Sequence, residues 1–482
     1  MSDILNLKPE KVWYYFDEVC KIPRPSKKEE KITAWLIGFG KKNNLETLSD
    51  EVGNVLIRKA ATKGKENAAG VVLQSHMDMV CEKNADTMHD FDKDPIQPVI
   101  DSDWVKAKGT TLGADDGIGI AAQLAILAAN DIAHGPIECL FTVDEETGLT
   151  GAFGLSPDFL KGRILLNLDS EDEGQLFIGC AGGTDTEIIF DYKKEKTPEN
   201  VVAFKISVTG LKGGHSGDDI NKGLGNAVKI INRFLYSSSI EHKLRISDLF
   251  GGNLRNAIAR EAYAKAVIPE SMKESFTKYA QWFDRAVRDE LKVMEPDLKI
   301  AIESDTIPEF VIDKDTQTRL FNSLYACPHG VIAMTADMPG LVETSTNLAS
   351  VKTLDNTIIV QTSQRSSVET SKDDIANMVA TVFQLAGASI KRGEGYPGWK
   401  PDPNSKLVGV MRETYVRLFK KEPLVLAIHA GLECGVIGEK YPGMDMISFG
   451  PTLRGVHSPT ERIEIETVEM FWKLLVEVLA VI

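Results

Sequence analysis

PIECLFTVDEETG, residues 136–148, holds an apolar run that breaks abruptly into Asp144, Glu145 and Glu146. A short continuous apolar run bounded by Gly135-Pro136 and an acidic turn reads as a fully buried strand that delivers carboxylates at its carboxyl end. Two neighbouring stretches have the same layout. GVVLQSHMDMV (70–80) ends on His76 and Asp78, and GRILLNLDSED (162–172) ends on Asp169-Ser170-Glu171-Asp172. Acidic runs are usually solvated loop residues. Here each follows a strongly apolar strand, and open α/β sheets gather their ligands beyond the carboxyl ends of such strands. Amphipathic helical patterns at 8–22, 28–42 and 118–130 alternate with these strands. The alternation predicts an α/β fold with a mostly parallel central sheet and helices on both faces.

The pattern changes after about residue 182. Shorter strands such as TEIIFDY (186–192), AFKISVTG (203–210) and TIIVQTSQR (357–365), with a long helix at 270–294, predict a separate α+β domain over 183–398. Two rounds of strand, helix and paired strands are suggested within it, near 183–295 and 296–398, without demonstrable identity between them. KRGEGYPGWKPDPNSK (391–406) reads as a linker, after which helix and strand alternate again to the C-terminus. The expected organisation is a catalytic domain in two parts, 1–182 and 399–482, interrupted by an inserted domain at 183–398.

Composition narrows the class. A chain of 482 residues, 43% hydrophobic and 26% charged, has the make-up of a soluble globular protein with room for several domains. Its start lacks the basic-then-apolar layout of a signal peptide, and no run reaches the ~18 apolar residues of a membrane span, so a cytoplasmic protein is expected. The six cysteines are scattered and read as reduced, mostly buried thiols. A net charge of −15 argues against nucleic acid and anionic membranes as partners.

His76 and Asp78, two apart on an extended segment, point to one face. Alone they are an ordinary polar pair; beside a metal, a carboxylate in that position fixes the imidazole through its other nitrogen. In TLGADDGIGIAAQ (111–123), Asp115 and Asp116 have an ordinary explanation as helix N-caps. The glycines after them imitate a dinucleotide fingerprint, but no apolar strand runs directly into them and two carboxylates would face the pyrophosphate. His457, in GVHSPTE (455–461), follows another strand and precedes the last helix. Two imidazoles with several carboxylates suit Zn²⁺, Mn²⁺ or Co²⁺.

Taken in order, HMD, GADDG, DEETG, LDSED, GGHSG and GVHSPTE resemble the co-catalytic metallopeptidases that include aminoacylases, peptidase T and the Xaa-His dipeptidases, most closely the last. The resemblance spans essentially the whole chain and implies a zinc-peptidase-like catalytic domain with a lid inserted before the last catalytic segment. It implies two divalent ions, first Zn²⁺ and otherwise Co²⁺ or Mn²⁺. Asp115 would bridge them, His76 and Asp169 would complete one shell, and Glu146 and His457 the other. Asp78 would orient His76, and Glu145 would be the general acid/base. From the lid, His215 would meet the developing oxyanion, in its own subunit or a neighbour's, while Asn256 and Arg365 would hold substrate. Ordinary readings exist for these three too: a turn histidine beside glycines, and exposed polar residues.

HAGLECG (429–435) resembles a substrate-end segment, with backbone N–H groups from Gly431 to Gly435 offered to a carboxylate. His429 and Glu433 are four apart and would form a metal pair on a helix, but with the ligand set full they read as structural or supporting residues. His89, His134, His242 and His329 lie outside any convergent motif. Asp169, where acylases tend to carry Glu, resembles the aminopeptidase and dipeptidase side of the family and implies a free amino end on the substrate. The expected activity is hydrolysis of Xaa-His dipeptides, β-alanyl-histidine included, with a small dipeptide as the ligand and a second copy of the chain as a candidate partner. The alternatives are a broader dipeptidase or amidohydrolase, and a metal-binding regulatory or scaffold protein. The last would be expected to have lost the general base or a ligand, and all of these residues are present.

Overall fold

The computed structural model describes residues 3–482, which fall into two compact units. One contains the chain up to Cys180 together with Trp399–Ala427 and Leu432–Ile482; the other contains Ala181–Gly398 and Ile428–Gly431. The interruption begins two residues before the expected position, and the four residues 428–431 join the second unit although they were expected with the first.

The first unit is built on an eight-stranded sheet. Its centre is parallel: Val71–His76 lies between Ile137–Thr142 and Ile164–Asn167, and the latter pairs in parallel with Asp445–Ser448. On both sides of this centre the pairing turns antiparallel. Val55–Lys59 adds to Ile137–Thr142 antiparallel, Glu46–Ser49 continues that wing, and Gln175–Cys180 meets Asp445–Ser448 antiparallel. All six residues of Val71–His76 and all six of Ile137–Thr142 are buried, as expected of strands covered on both faces. Leu56, Val72, Leu140 and Leu165 share an apolar cluster with Val436 and Ile437 of the Glu433–Lys440 helix.

A small four-stranded sheet lies apart from the large one. It runs Leu453–Arg454, Arg462–Glu464, Trp104–Ala107, Pro98–Asp101, antiparallel throughout. The turn between its first two strands carries His457 with φ +60°, in the left-handed region. The strand Trp104–Ala107 leads toward Ala114–Ala128, the helix that begins with the Asp115-Asp116 pair.

The second unit is an antiparallel nine-stranded sheet. Its apolar core gathers Phe190, Phe204, Phe234, Phe276, Phe283, Phe321 and Phe383 from strands and from the helices Ala227–Glu241, Lys273–Leu291, Lys314–Ala326 and Glu369–Leu385. The two suggested rounds are interleaved within one sheet. Gly182–Asp191, from the first, pairs with Thr357–Ser366 and Ser389–Arg392 of the second, while Lys299–Asp305, from the second, pairs with Val201–Thr209 of the first. Among the described residues no helix is long and apolar enough to cross a membrane.

Candidate active site

Side chains alternate along a strand, so Val72, Gln74 and His76 leave the sheet on one face, the face that holds Glu433. His76 is the last residue of its strand and is almost fully buried. Its Nε2 lies 2.9 Å from Asp115 Oδ1 and 3.6 Å from Asp169 Oδ1, and its Nδ1 lies 3.3 Å from Asp78 Oδ1. On the other side, His457 Nε2 is 3.2 Å from Asp115 Oδ2 and 3.0 Å from Glu146 Oε2.

The side chains therefore form two three-residue sets, His76-Asp115-Asp169 and Asp115-Glu146-His457, each with donor atoms within 4.8 Å of one another. Asp115 belongs to both, one carboxylate oxygen facing each histidine. Glu145 lies within the same distance of His76 and Glu146, one residue from each set, and so stands beside both. A further acidic group, Glu29-Asp78-Asp144, is accounted for by internal hydrogen bonds. Thr147 and Thr150 hydroxyls donate to Asp144, the Lys27 and Asp144 N–H groups to Glu29, and Ser26 Oγ to Asp78 at 2.8 Å.

Asp78 has a second task that the sequence did not announce. The N–H of Glu145 donates to its Oδ1 at 3.0 Å and that of Glu146 to its Oδ2 at 3.2 Å. One carboxylate thus faces His76 and fixes the backbone of both glutamates. Burial raises the pKa of Asp78, but the hydrogen bonds and charge of His76 and the Ser26 hydroxyl outweigh it and hold the carboxyl down at about 2.

The rest of the cluster carries opposed charges at close range. Burial, reinforced by Glu433, Glu146 and Asp115, pushes Glu145 up to about 8, while His76 opposes the rise. Burial and Asp115 also drive Asp169 well above the carboxylate range. Hydrogen bonds donated to the Asp115 and Glu146 carboxylates push His457 up to about 11. A site that forces protons onto carboxylates and imidazoles alike has a surplus of negative donors in a confined space. Two dications sharing one carboxylate would relieve that surplus, and the mixture of imidazole nitrogen and carboxylate oxygen fits them.

Asp116 is not among the facing donors. Its Oδ1 accepts the Gly119 N–H at 3.1 Å, a capping bond, and its buried Oδ2 has no partner. The capping explanation thus applies to Asp116 and not to Asp115.

Glu433 was read from sequence as a supporting residue. It is buried, and its Oε2 accepts from Gln74 Nε2 at 2.6 Å and Thr142 Oγ1 at 2.8 Å. His429 belongs to the other unit, where its Nε2 lies 2.7 Å from Ser345 Oγ, so the two do not form a metal pair. Gly435 is a correction. It is buried in the first turn of the Glu433–Lys440 helix and its N–H donates to Leu432 O at 3.0 Å, so the donor expected for a substrate carboxylate is already used.

Within the second unit, His215 and Asn256 come together: His215 pairs with Ala257, next to the exposed Asn256, in a two-residue ladder. The N–H groups of Gly217 and Asp218 both donate to His215 Nδ1, at 3.3 and 3.2 Å. Nδ1 also lies 3.3 Å from Asp218 Oδ2, so this nitrogen is engaged within its own turn. Arg365 is buried on its strand, its Nη1 donates to the Tyr396 hydroxyl at 2.9 Å, and its Nε has no partner. It sits directly across from Ser345.

Residues 72–480 match the sequence profile of Peptidase family M20/M25/M40. The chain is 45% identical over 482 residues to the cytosol non-specific dipeptidase of Escherichia coli (strain K12), covering 99% of each. The crystal structure of aminoacylhistidine dipeptidase from Vibrio alginolyticus is similar with a TM-score of 0.96 at 45% identity, over 100% of this chain and 98% of that one. The aminopeptidase PepT of Bacillus cereus, 16% identical with a TM-score of 0.57 over 98% of each chain, shares the fold alone.

Proposed function

The chain belongs to peptidase family M20/M25/M40, and from that premise we propose that it is a two-metal dipeptidase acting on small peptides with a free amino end, Xaa-His dipeptides first among them. The observation that carries this reading is the pair of ligand sets that share Asp115. His76 and Asp169 would hold one ion, Glu146 and His457 the other, with Asp115 common to both. The ions, Zn²⁺ in the first instance and Co²⁺ or Mn²⁺ otherwise, would polarise the scissile carbonyl and lower the pKa of water.

Glu145 is the proton carrier. It stands beside both sets without belonging to the pair that shares Asp115, and it takes a proton from water and returns it to the leaving amine. Asp78 holds the peptide groups of Glu145 and Glu146, so the base and a ligand keep a fixed spacing. His215 is proposed to donate to the developing oxyanion through Nε2, since its Nδ1 is engaged within its own turn. Arg365 is proposed to bind the substrate carboxylate, with Asn256 as a further substrate contact. The Tyr396 hydroxyl holds one edge of the guanidinium, and paired N–H donors match a planar carboxylate. Residues 183–398 would then act as a lid that closes over a dipeptide. A cytoplasmic location and a second copy of the chain as partner belong to the same proposal.

A second reading, a broader dipeptidase, is favoured by the name of the Escherichia coli relative, a non-specific dipeptidase. One panel separates the two. Metal-reconstituted protein is given β-alanyl-histidine, a series of Xaa-His peptides, dipeptides ending in other residues, and N-acetylated analogues. Xaa-His turnover above the rest, with blocked analogues untouched, is the expected result. Equal rates across all dipeptides would establish the broader reading, and preferential cleavage of N-acetylated amino acids would overturn both.

A further inference from the structure

Arg24 and Glu461 are each only 2% exposed, yet among the described residues neither has an oppositely charged side chain within ion-pair distance. A buried charge is costly unless it is paired or hydrogen-bonded. Both use the same turn, residues 112–115, from its two polar sides. Glu461 Oε2 accepts the N–H groups of Leu112 at 2.8 Å and Gly113 at 3.0 Å, and its Oε1 those of Ala114 at 2.7 Å and Asp115 at 3.4 Å. Arg24 Nη2 donates to the Gly113 carbonyl of that turn, while its Nη1 donates to the carbonyls of Met77 at 3.0 Å and Asp78 at 2.6 Å.

The turn is shaped for this grip. Gly113 has φ +68°, and a Cβ there or at Gly117 would lie 2.7 Å from Arg24 Nη2. The two glycines that frame the Asp115-Asp116 pair therefore leave the room the guanidinium fills. Through these two side chains three segments are tied together: Met77-Asp78 after His76, the turn that ends at Asp115, and the stretch from His457 to Glu461.

We propose that Arg24 and Glu461 are positioning residues that clamp the Asp115 turn between them and so set the spacing of the two metal-binding sets. The proposal rests on the ligand assignment above. Metal affinity is therefore its readout, since a cluster already in register binds ions without the cost of ordering three segments.

The experiment is a Co²⁺ titration of metal-free wild type, Glu461→Gln and Arg24→Lys, followed by visible absorption, with near-ultraviolet circular dichroism of each metal-free protein alongside. Glutamine keeps one of the two acceptor oxygens, and lysine keeps the charge but loses the fork that reaches two segments. Both variants are expected to retain the metal-free dichroism and to bind the two ions at least about tenfold more weakly. Two ions bound at wild-type affinity by both variants would overturn the clamp while leaving the ligand assignment intact. Loss of the metal-free tertiary signal in either variant would overturn it too, because the pair would then serve the fold and not the site. Failure of wild type itself to bind two ions would overturn the ligand assignment and the clamp with it.

Discussion

Asp115 and Asp116 are chemically identical neighbours with opposite surroundings, one facing two histidines and the other a backbone N–H inside the helix. Sequence reading could name both as N-caps or both as ligands, because the choice depends on which way each carboxylate leaves the backbone. The strand ends were legible, since an apolar run breaking into acid or histidine has few other uses. Arg24 was not legible, and Glu461 was visible only as a letter in GVHSPTE. A side chain bonding to backbone 349 or 53 positions away leaves no spacing pattern. Gly435 was misread for a related reason: a glycine N–H is available to a ligand only if no carbonyl has taken it, and Leu432 O had. The two aspartates give a test at this scale. Asp115→Ala should bring the ion content of reconstituted protein below two per chain, whereas Asp116→Asn should retain two, both by metal analysis after gel filtration. The reverse outcome would move the shared-ligand role to Asp116.

The secondary-structure elements were largely readable: the buried strands at 70–76 and 136–143 appear as Val71–His76 and Ile137–Thr142, and the 270–294 helix as Lys273–Leu291. The pairing was not, because period-2 patterning tells which face of a strand is buried and says nothing of its neighbour. That is why the two rounds of the second unit looked sequential but interleave within one sheet. His329, set aside in the sequence as ordinary, belongs to this level. It accepts the Leu348 N–H through Nδ1 at 3.2 Å, and burial, aided by the Lys229 charge, lowers its pKa to about 4. The unfolded chain protonates this imidazole near pH 6.5. Its stabilising effect is thus complete above that pH and is lost as pH falls from about 6.5 toward 4, with a size on the order of a few kcal/mol. Metal-free His329→Gln, which keeps an acceptor for Leu348, should lose less melting temperature between pH 7 and pH 5 than wild type. Equal losses by scanning calorimetry would show that this histidine does not contribute to the acid sensitivity.

The chain crosses between its two units at 180/181, 398/399, 427/428 and 431/432. The first two crossings are flanked by reciprocal backbone bonds, Cys180 with Trp399 and Gly183 with Tyr396, so the segments leaving and re-entering run side by side. The gap of 288 positions between Asp169 and His457 was enough to predict an inserted domain. The excursion of 428–431 was invisible, because four residues carry no periodicity. If the inserted unit holds the substrate carboxylate, Arg365→Ala should raise KM for a free dipeptide about ten- to a hundredfold, the range for a lost charge-assisted pair, with a much smaller effect on its C-terminal amide. Unchanged relative efficiency toward dipeptide and amide would remove Arg365 from that role. The central claim, that Glu145 carries the proton beside a two-ion cluster, is tested most directly by the turnover of Glu145→Gln loaded with metal. The variant should hold two ions by metal analysis and hydrolyse its best dipeptide about 10²–10⁴ times more slowly than wild type. Two ions bound with near-native turnover would contradict the account.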